Sequence, residues 1–514
     1  MSNINQSGLN EPQKTTDAKA VEDATHSEKV RGLRVAVTPA DNRRIRNKTD
    51  LFILTCLVQT YFLQIADKTI IGLTAVYGLR EDTNLTGSQY SNLGAIGYYA
   101  QLAAQPIAAY LIVRLRYRIF VPAIVTLWAV SLLGMAGSRG YGGLMACRFL
   151  LGWWEAAAIP VYSVVTISFY RRSEQPLRVA AWYGTNGLAN LISSPIVYGC
   201  ARATGSSLDT YQIVYREESI TALEVTSLLT NCFAVIFGLW VSHPTGGFPS
   251  PGTARFLTPE DRLKAVERLR ANNQGIVSHK VMTFCVNAGA SASNVFGPII
   301  LQKLVGFSAD RAVLLNMPFG ALQTLVILAS SWAAVRFKRK APVSLFLCLP
   351  TIAGAAILYA VPKTPGNQGT LLAGYYMFGF IFAFNPLILS WMGANLAFNF
   401  STTFNAASAV GNIVAPYLFN AKDAPNYKPA MEGMLVLYVI LAVAIVLQAF
   451  NLIWAQKRKE KRRVSIGLPA KVADHSMDVK YQTAEDPDEL HREHGEEGFD
   501  DRTDHQNPYF TYVW

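Results

Sequence analysis

The sequence predicts an all-α membrane protein of about twelve transmembrane helices arranged in two six-helix halves. Three observations predict it. Apolar residues come in blocks of about twenty, the length a helix needs to cross a bilayer. The chain of 514 residues is 51% apolar and only 16% charged, which is too few charges for an ordinary soluble protein of this size. A pattern also recurs after six blocks. A basic turn, Arg114–Arg118, follows the second block, and Arg336–Lys340 follows the eighth. Asn190 precedes Pro195 in the fifth, and Asn412 precedes Pro416 in the eleventh. Two repeated halves are the architecture of a transporter that rocks about a site at the membrane midplane.

Residues 1–50 are polar, without the apolar core of a signal peptide, and are expected to form a disordered cytoplasmic tail that turns basic at Arg43, Arg44, Arg46 and Lys48. Spans follow near 51–77, 90–113, 119–138, 143–170, 179–200 and 220–242, which make up an N-terminal half over 51–242. Residues 243–280 form a polar linker containing a surface helix. Thr258 caps it, Pro259 opens it and Asp261 completes a capping-box pattern, with Leu263, Val266 and Leu269 as its apolar edge. The second half, 281–456, holds spans near 281–302, 312–335, 341–361, 370–394, 402–420 and 431–456. Residues 457–514 form an acidic tail that is expected to be disordered.

Alternate loops carry the cations: Arg114, Arg116 and Arg118; Arg171, Arg172 and Arg178; Arg336, Lys338, Arg339 and Lys340. The positive-inside rule therefore puts both termini in the cytoplasm. The same rule accounts for the net charge of +11 without any nucleic-acid partner. Six cysteines lie in or beside apolar runs without metal-type spacing and read as small core residues. The sequon Asn84-Leu85-Thr86 falls in a short outer loop that offers little room for a glycan.

Charges inside the spans point to the site. RFLLGWWEA, residues 148–156, carries Arg148 and Glu155 seven residues apart, hence on one helical face, with Gly152 between them leaving room for a close backbone or ligand. The first span carries Asp67 and Lys68 side by side, pointing about 100° apart. Both pairs fall at similar depth if the chain alternates direction at each crossing. A charge at mid-bilayer costs roughly 2.5–3.5 kcal/mol on insertion scales, so such residues are functional by default. The plainer reading is an ion pair that only locks helices together. Asn186, Asn385, Asn405 and Asn412 offer hydrogen bonds to an amide or ureide, or ties between helices. All seven histidines lie outside the spans, and no nucleophile-plus-base pattern occurs. The sequence points to no enzyme, metal site or cofactor.

Several motifs together resemble the major facilitator superfamily and, within it, the fungal allantoate-permease-like branch of the anion:cation symporters. They are LQIADKT (63–69), RFLLGWWEA, RRSEQPLRVAAWYGTNGLA (171–189), TARFLTPEDRLKAVERLRANNQGI (253–276), GFSADRAVLLNMPFGALQ (306–323), NAASAVGNIVAPYLFNAKDAPNYKP (405–429) and the terminal TDHQNPYFTYVW (503–514). The chain departs from that branch at Gly275–Lys280, which runs straight into the seventh span, at the charges Arg216, Glu217, Glu218 and Glu224 around the start of the sixth span, and at Asn395–Thr403, which lacks Lys and Arg. The resemblance implies the major facilitator fold and proton-driven import of a small organic anion such as allantoate, ureidosuccinate, nicotinate or pantothenate. It makes Asp67 and Glu155 the proton-coupling acids, and Lys68 and Arg148 the substrate-binding cations. It implies no cofactor beyond protons as the coupling ion, and a monomer in the lipid bilayer of the plasma membrane. Lys68 presents a point charge where an arginine would present a planar fork.

Two other functions fit parts of the sequence. An exporter of cationic drugs would keep lone acids in its cavity, against which Lys68 and Arg148 argue. A nutrient sensor or inactive relative would keep the fold and use its tails.

Overall fold

A computed structural model describes residues 37–470, apart from 78–84, 86–87, 203–212, 214–250, 252–253, 270–279, 396–399 and the positions 116, 139, 420, 424 and 425. Among the described residues every regular element is helical. Helices cover eleven of the twelve predicted spans; the span near 220–242, Asn84 and Thr86 of the sequon and the charges at 216–224 lie outside the described residues. Among the described residues, seven helical stretches are long and apolar enough to cross a membrane by composition alone. Large apolar side chains such as Leu325, Phe346, Leu447 and Phe450 stand exposed on the outside, where lipid would meet them.

The first half holds α1 (Pro39–Thr49), α2 (Thr55–Thr74), α3 (Gln89–Arg114), α4 (Tyr117–Gly137), α5 (Tyr141–Glu155), α6 (Ala158–Phe169), α7 (Gln175–Tyr183) and α8 (Thr185–Cys200). The predicted fourth span is thus two helices, α5 and α6. Pro160 explains the break: it has no N–H to give the carbonyl of Ala156. Gln105 of α3 supplies the missing donor, its Nε2 lying 3.1 Å from that carbonyl. The linker helix is α9 (Pro259–Glu267). The second half holds α10 (Lys280–Ile299), α11 (Ala309–Leu314), α12 (Asn316–Phe337), α13 (Ala341–Ala360), α14 (Gln368–Met377), α15 (Phe384–Asn395), α16 (Phe400–Leu418) and α17 (Lys428–Ser465).

The halves meet where α8 packs on α12 and α3 on α16. The first contact needs glycine on both sides. A Cβ at Gly187 would lie 2.2 Å from the carbonyl oxygen of Gly320, and one at Gly320 would lie 2.4 Å from that of Gly187. The halves also touch near both ends of the bundle. At the end remote from the linker helix, Asp310 accepts from Tyr77 at 2.9 Å and pairs with Arg202 at 2.7 Å. At the basic end, α7 packs on α15.

The sequence reading is corrected at that basic end. Residues 39–49 are not disordered tail. They form α1, started by a capping box between Thr38 and Asp41 with Pro39 in the first turn, and closed by Arg46 and Lys48 in the last. This helix docks on α9 through charge. Asp261 takes Arg44 at 2.6 Å and Lys48 at 2.8 Å, and Lys264 takes Asp41 at 3.1 Å. Burial pushes the Asp261 carboxyl up, but its bonds to Lys48 and Arg44 outweigh that and hold it below its usual range. Thr258 caps α9 as predicted, accepting from the Asp261 N–H at 3.2 Å, while the Asp261 carboxylate serves α1. The face that α9 buries is Asp261, Ala265 and Arg268; Leu263, Val266 and Leu269 are only half-buried. At the other terminus α17 continues to Ser465, beyond the expected end at 456, because Lys, Arg and Glu extend an established helix at little cost. Lys340, read as a loop cation, is fully buried and donates to the Ser390 carbonyl at 2.6 Å. None of Cys56, Cys147, Cys200, Cys285 and Cys348 is in a disulfide among the described residues.

The linker is held to the first half by a buried pair, Arg268 with Glu174, at 2.7 Å and with side chains 1% and 9% exposed. Removing one member of such a pair strands the other, which costs about 3–5 kcal/mol. Arg268→Ala is therefore expected to lower the unfolding temperature of the detergent-solubilised protein by several degrees. Arg268→Met with Glu174→Gln is expected to restore most of it; if the double variant is as unstable as the single one, the pair is not the cause.

Candidate functional site

Four helices bring the predicted charges together. α2 carries Asp67 and Lys68, and their divergence of about 100° sends them to different neighbours. Asp67, 1% exposed, accepts a hydrogen bond at Oδ2 from the indole N–H of Trp128 on α4. Lys68 turns to α5 and pairs with Glu155 Oε2 at 3.1 Å. Gln101 of α3 donates to that same oxygen at 2.9 Å. Glu155 thus pairs with a cation on another helix, the kind of contact that the plainer reading of these charges expects.

Arg148 is only 4% exposed, and its Nη1 has no hydrogen-bond partner. Glu155 Oε1 is likewise buried and without one. The guanidinium lies along α3: a Cβ placed on Gly97 would be 3.8 Å from Arg148 Nε. The role of Gly152 is backbone approach, because a Cβ there would meet the Gly97 carbonyl oxygen at 2.1 Å. Both helices need these glycines for Arg148 and Glu155 to face α2 and α3 at such close quarters.

The asparagines divide. Asn186 of α8 donates to Tyr61 Oη at 3.2 Å and to the Tyr183 carbonyl at 2.8 Å. Asn385 of α15 donates to the Tyr183 hydroxyl and exchanges bonds of 3.2 and 3.3 Å with Asn287 of α10. Tyr183 thus joins Asn186 to Asn385 across the two halves, inside a cluster with Tyr61, Tyr162 and Trp182. Asn412 turns along its own helix to Ser408 at 3.4 Å, and its carbonyl accepts from Ser291 at 3.3 Å, which is a helix-tying arrangement. Asn405 is buried on α16.

Sequence reasoning missed Trp128, Gln101, Tyr61 and Asn287. Gln101 and Asn287 are polar residues within predicted spans, the signal that singled out the other asparagines. Trp128 and Tyr61 carried no such signal, since aromatic residues in spans are mostly packing.

Comparison with known proteins agrees with this architecture. The family model described as Major Facilitator Superfamily matches residues 57–416. An uncharacterized transporter of Schizosaccharomyces pombe is 29% identical, over 98% of this chain and 94% of that protein. The allantoate permease of Saccharomyces cerevisiae is 26% identical, over 93% of this chain and 88% of its own length. Among solved structures, the proton:xylose symporter XylE superposes with a TM-score of 0.58 at 16% identity, covering 81% of this chain and 96% of that one. The last likeness bears on the fold alone.

Proposed function

This chain belongs to the Major Facilitator Superfamily, and we propose that within it the chain imports a small organic anion together with protons by alternating access. The observation that carries the reading is Arg148: a buried cation at the heart of the first half whose Nη1 has no partner. A water-stripped cation is expensive unless an anion meets it. A carboxylate that arrives from solution is the complement the fold leaves unfilled.

Proton coupling follows from the second pair. A carboxylate held by Arg148 competes with Glu155 for Lys68. As Lys68 turns to the substrate, Glu155 is left buried without its cation, and taking up a proton neutralises it. Proton and anion therefore favour each other's binding, by the same factor in either direction. Asp67, held by Trp128, is a second acid one residue away. Two protons per monovalent anion would let the membrane potential contribute, about 2.3 kcal/mol per charge per 100 mV. Rocking would break the contacts at one end of the bundle, Tyr77 and Arg202 on Asp310, while those at the basic end hold, and then the reverse. Both termini would face the cytoplasm, at the plasma membrane.

The substrate class rests on the sign of the charge and on the allantoate permease relative. The candidates are allantoate, ureidosuccinate, nicotinate and pantothenate. Lys68 and Arg148 argue against export of cationic drugs. The test is uptake of these labelled acids by a transporter-deficient yeast that expresses the chain. Saturable uptake of at least one acid, inhibited by others, is the expected result. Uptake of organic cations and of none of the acids would refute the reading.

A further inference from the structure

Gln64 is a polar side chain beside the site whose whole amide goes without a hydrogen bond. It is 2% exposed, and neither its Nε2 nor its Oε1 has a hydrogen-bond partner. Buried amides in folded proteins are nearly always paired, so this one calls for an explanation. Its placement supplies one. Gln64 lies halfway along the first span, thirteen residues from Leu51 and thirteen from Tyr77. On α2 it follows Tyr61 by three residues and precedes Lys68 by four, so all three share a face. Both neighbours engage the interior: Tyr61 accepts from Asn186, and Lys68 pairs with Glu155. The stripe runs from the aromatic and amide cluster to the ion pair, with Gln64 between them and about 6 Å along the helix from Lys68. The other half offers a counterpart at mid-span. Gln323 of α12 accepts from Asn190 at 3.0 Å and keeps its Nε2 without a partner.

We infer that Gln64 is a specificity-determining residue: its carboxamide hydrogen-bonds a neutral polar group of the transported acid, set apart from the carboxylate that Lys68 and Arg148 hold. An amide both donates and accepts, so it suits a ring nitrogen, a hydroxyl, an amide or a urea. A plain hydrocarbon acid would leave it unpaired in a dry site, which is how polar sites reject apolar analogues. This inference rests on the anion-import reading and adds the second half of the ligand.

The test uses matched competitors for uptake of whichever labelled acid the native chain carries: nicotinate against benzoate, and ureidosuccinate against succinate. The native chain is expected to be inhibited more strongly by the first member of each pair. Gln64→Leu keeps the volume and removes the amide. It is expected to shrink at least one preference about tenfold by weakening the polar competitor, with membrane abundance unchanged. Gln64→Asn, a shorter amide, is expected to recover part of the preference. Equal inhibition within both pairs in the native chain, or preferences unchanged in Gln64→Leu, overturns the inference. Loss of folded protein in both variants overturns it too, because it assigns Gln64 no part in holding the fold. Uptake that survives Arg148→Ala would overturn the parent reading instead.

Discussion

Arg148→Ala is expected to abolish saturable uptake of every acid the native chain carries, at native abundance in the membrane. The two halves of that expectation have separate causes. Stability is spared because Arg148 Nη1 has no hydrogen-bond partner and, among the described residues, no salt bridge reaches it: Glu155 keeps Lys68 and Gln101, so no acid is stranded. Binding is lost because a desolvated carboxylate loses a charge-assisted partner, and removing one side of such a buried pair costs about 2–5 kcal/mol or more, between thirtyfold and several thousandfold in affinity. Arg148→Lys keeps the charge but gives up the planar fork and is expected to retain partial uptake with a raised KM. Uptake by Arg148→Ala at the native rate would mean that the unpartnered guanidinium has no substrate to meet.

Glu155→Gln is expected to separate movement from accumulation. The amide cannot ionise, so position 155 no longer exchanges a proton as Lys68 moves between it and the substrate. The oxygen of the introduced amide can still accept from Lys68 and from Gln101, which preserves the contacts that Oε2 of Glu155 makes. Exchange of labelled for unlabelled acid across the membrane needs only binding and rocking, and is expected to persist. Uphill uptake on a pH gradient needs the proton, and is expected to fall at least tenfold. If both fall together, Glu155 is part of the framework; if neither falls, the coupling acid is elsewhere, and Asp67 is the residue to vary next.

Much of the fold was legible because the bilayer imposes it. Blocks of twenty apolar residues leave few alternatives to spanning helices, and eleven of the predicted spans are helices in the structure. The break between α5 and α6 was also written in the chain, in Pro160, but the apolar run across it hid the signal. The basic end was less legible. Arg44 and Lys48 read as the basic end of a disordered tail, yet with Lys264 they bridge α1 to α9 through Asp41 and Asp261. Composition cannot show that two polar segments more than two hundred residues apart meet. Thr38, Pro39 and Asp41 did carry a helix-start signal that the surrounding polarity masked.

The candidate site shows the same division. Spacing along α5 put Arg148 and Glu155 on one face; the third dimension pairs Glu155 with Lys68 on α2. Depth was the usable clue, since spans of alternating direction bring Lys68 and Glu155 to similar levels. What sequence could not supply was which polar atoms remain unpaired. Arg148 Nη1, Glu155 Oε1 and the amide of Gln64 are set apart from Asn412 only by the positions of their neighbours.

The central claim is that an anion and a proton move together through the site of Lys68, Arg148 and Glu155. The most direct measurement uses the purified chain in proteoliposomes, with the membrane potential clamped at zero and the medium made more acid than the lumen. Labelled acid is expected to accumulate above its outside concentration, with the medium turning alkaline as it enters, and both signals are expected to vanish when a protonophore collapses the gradient. Accumulation that is the same with and without the gradient would contradict the account.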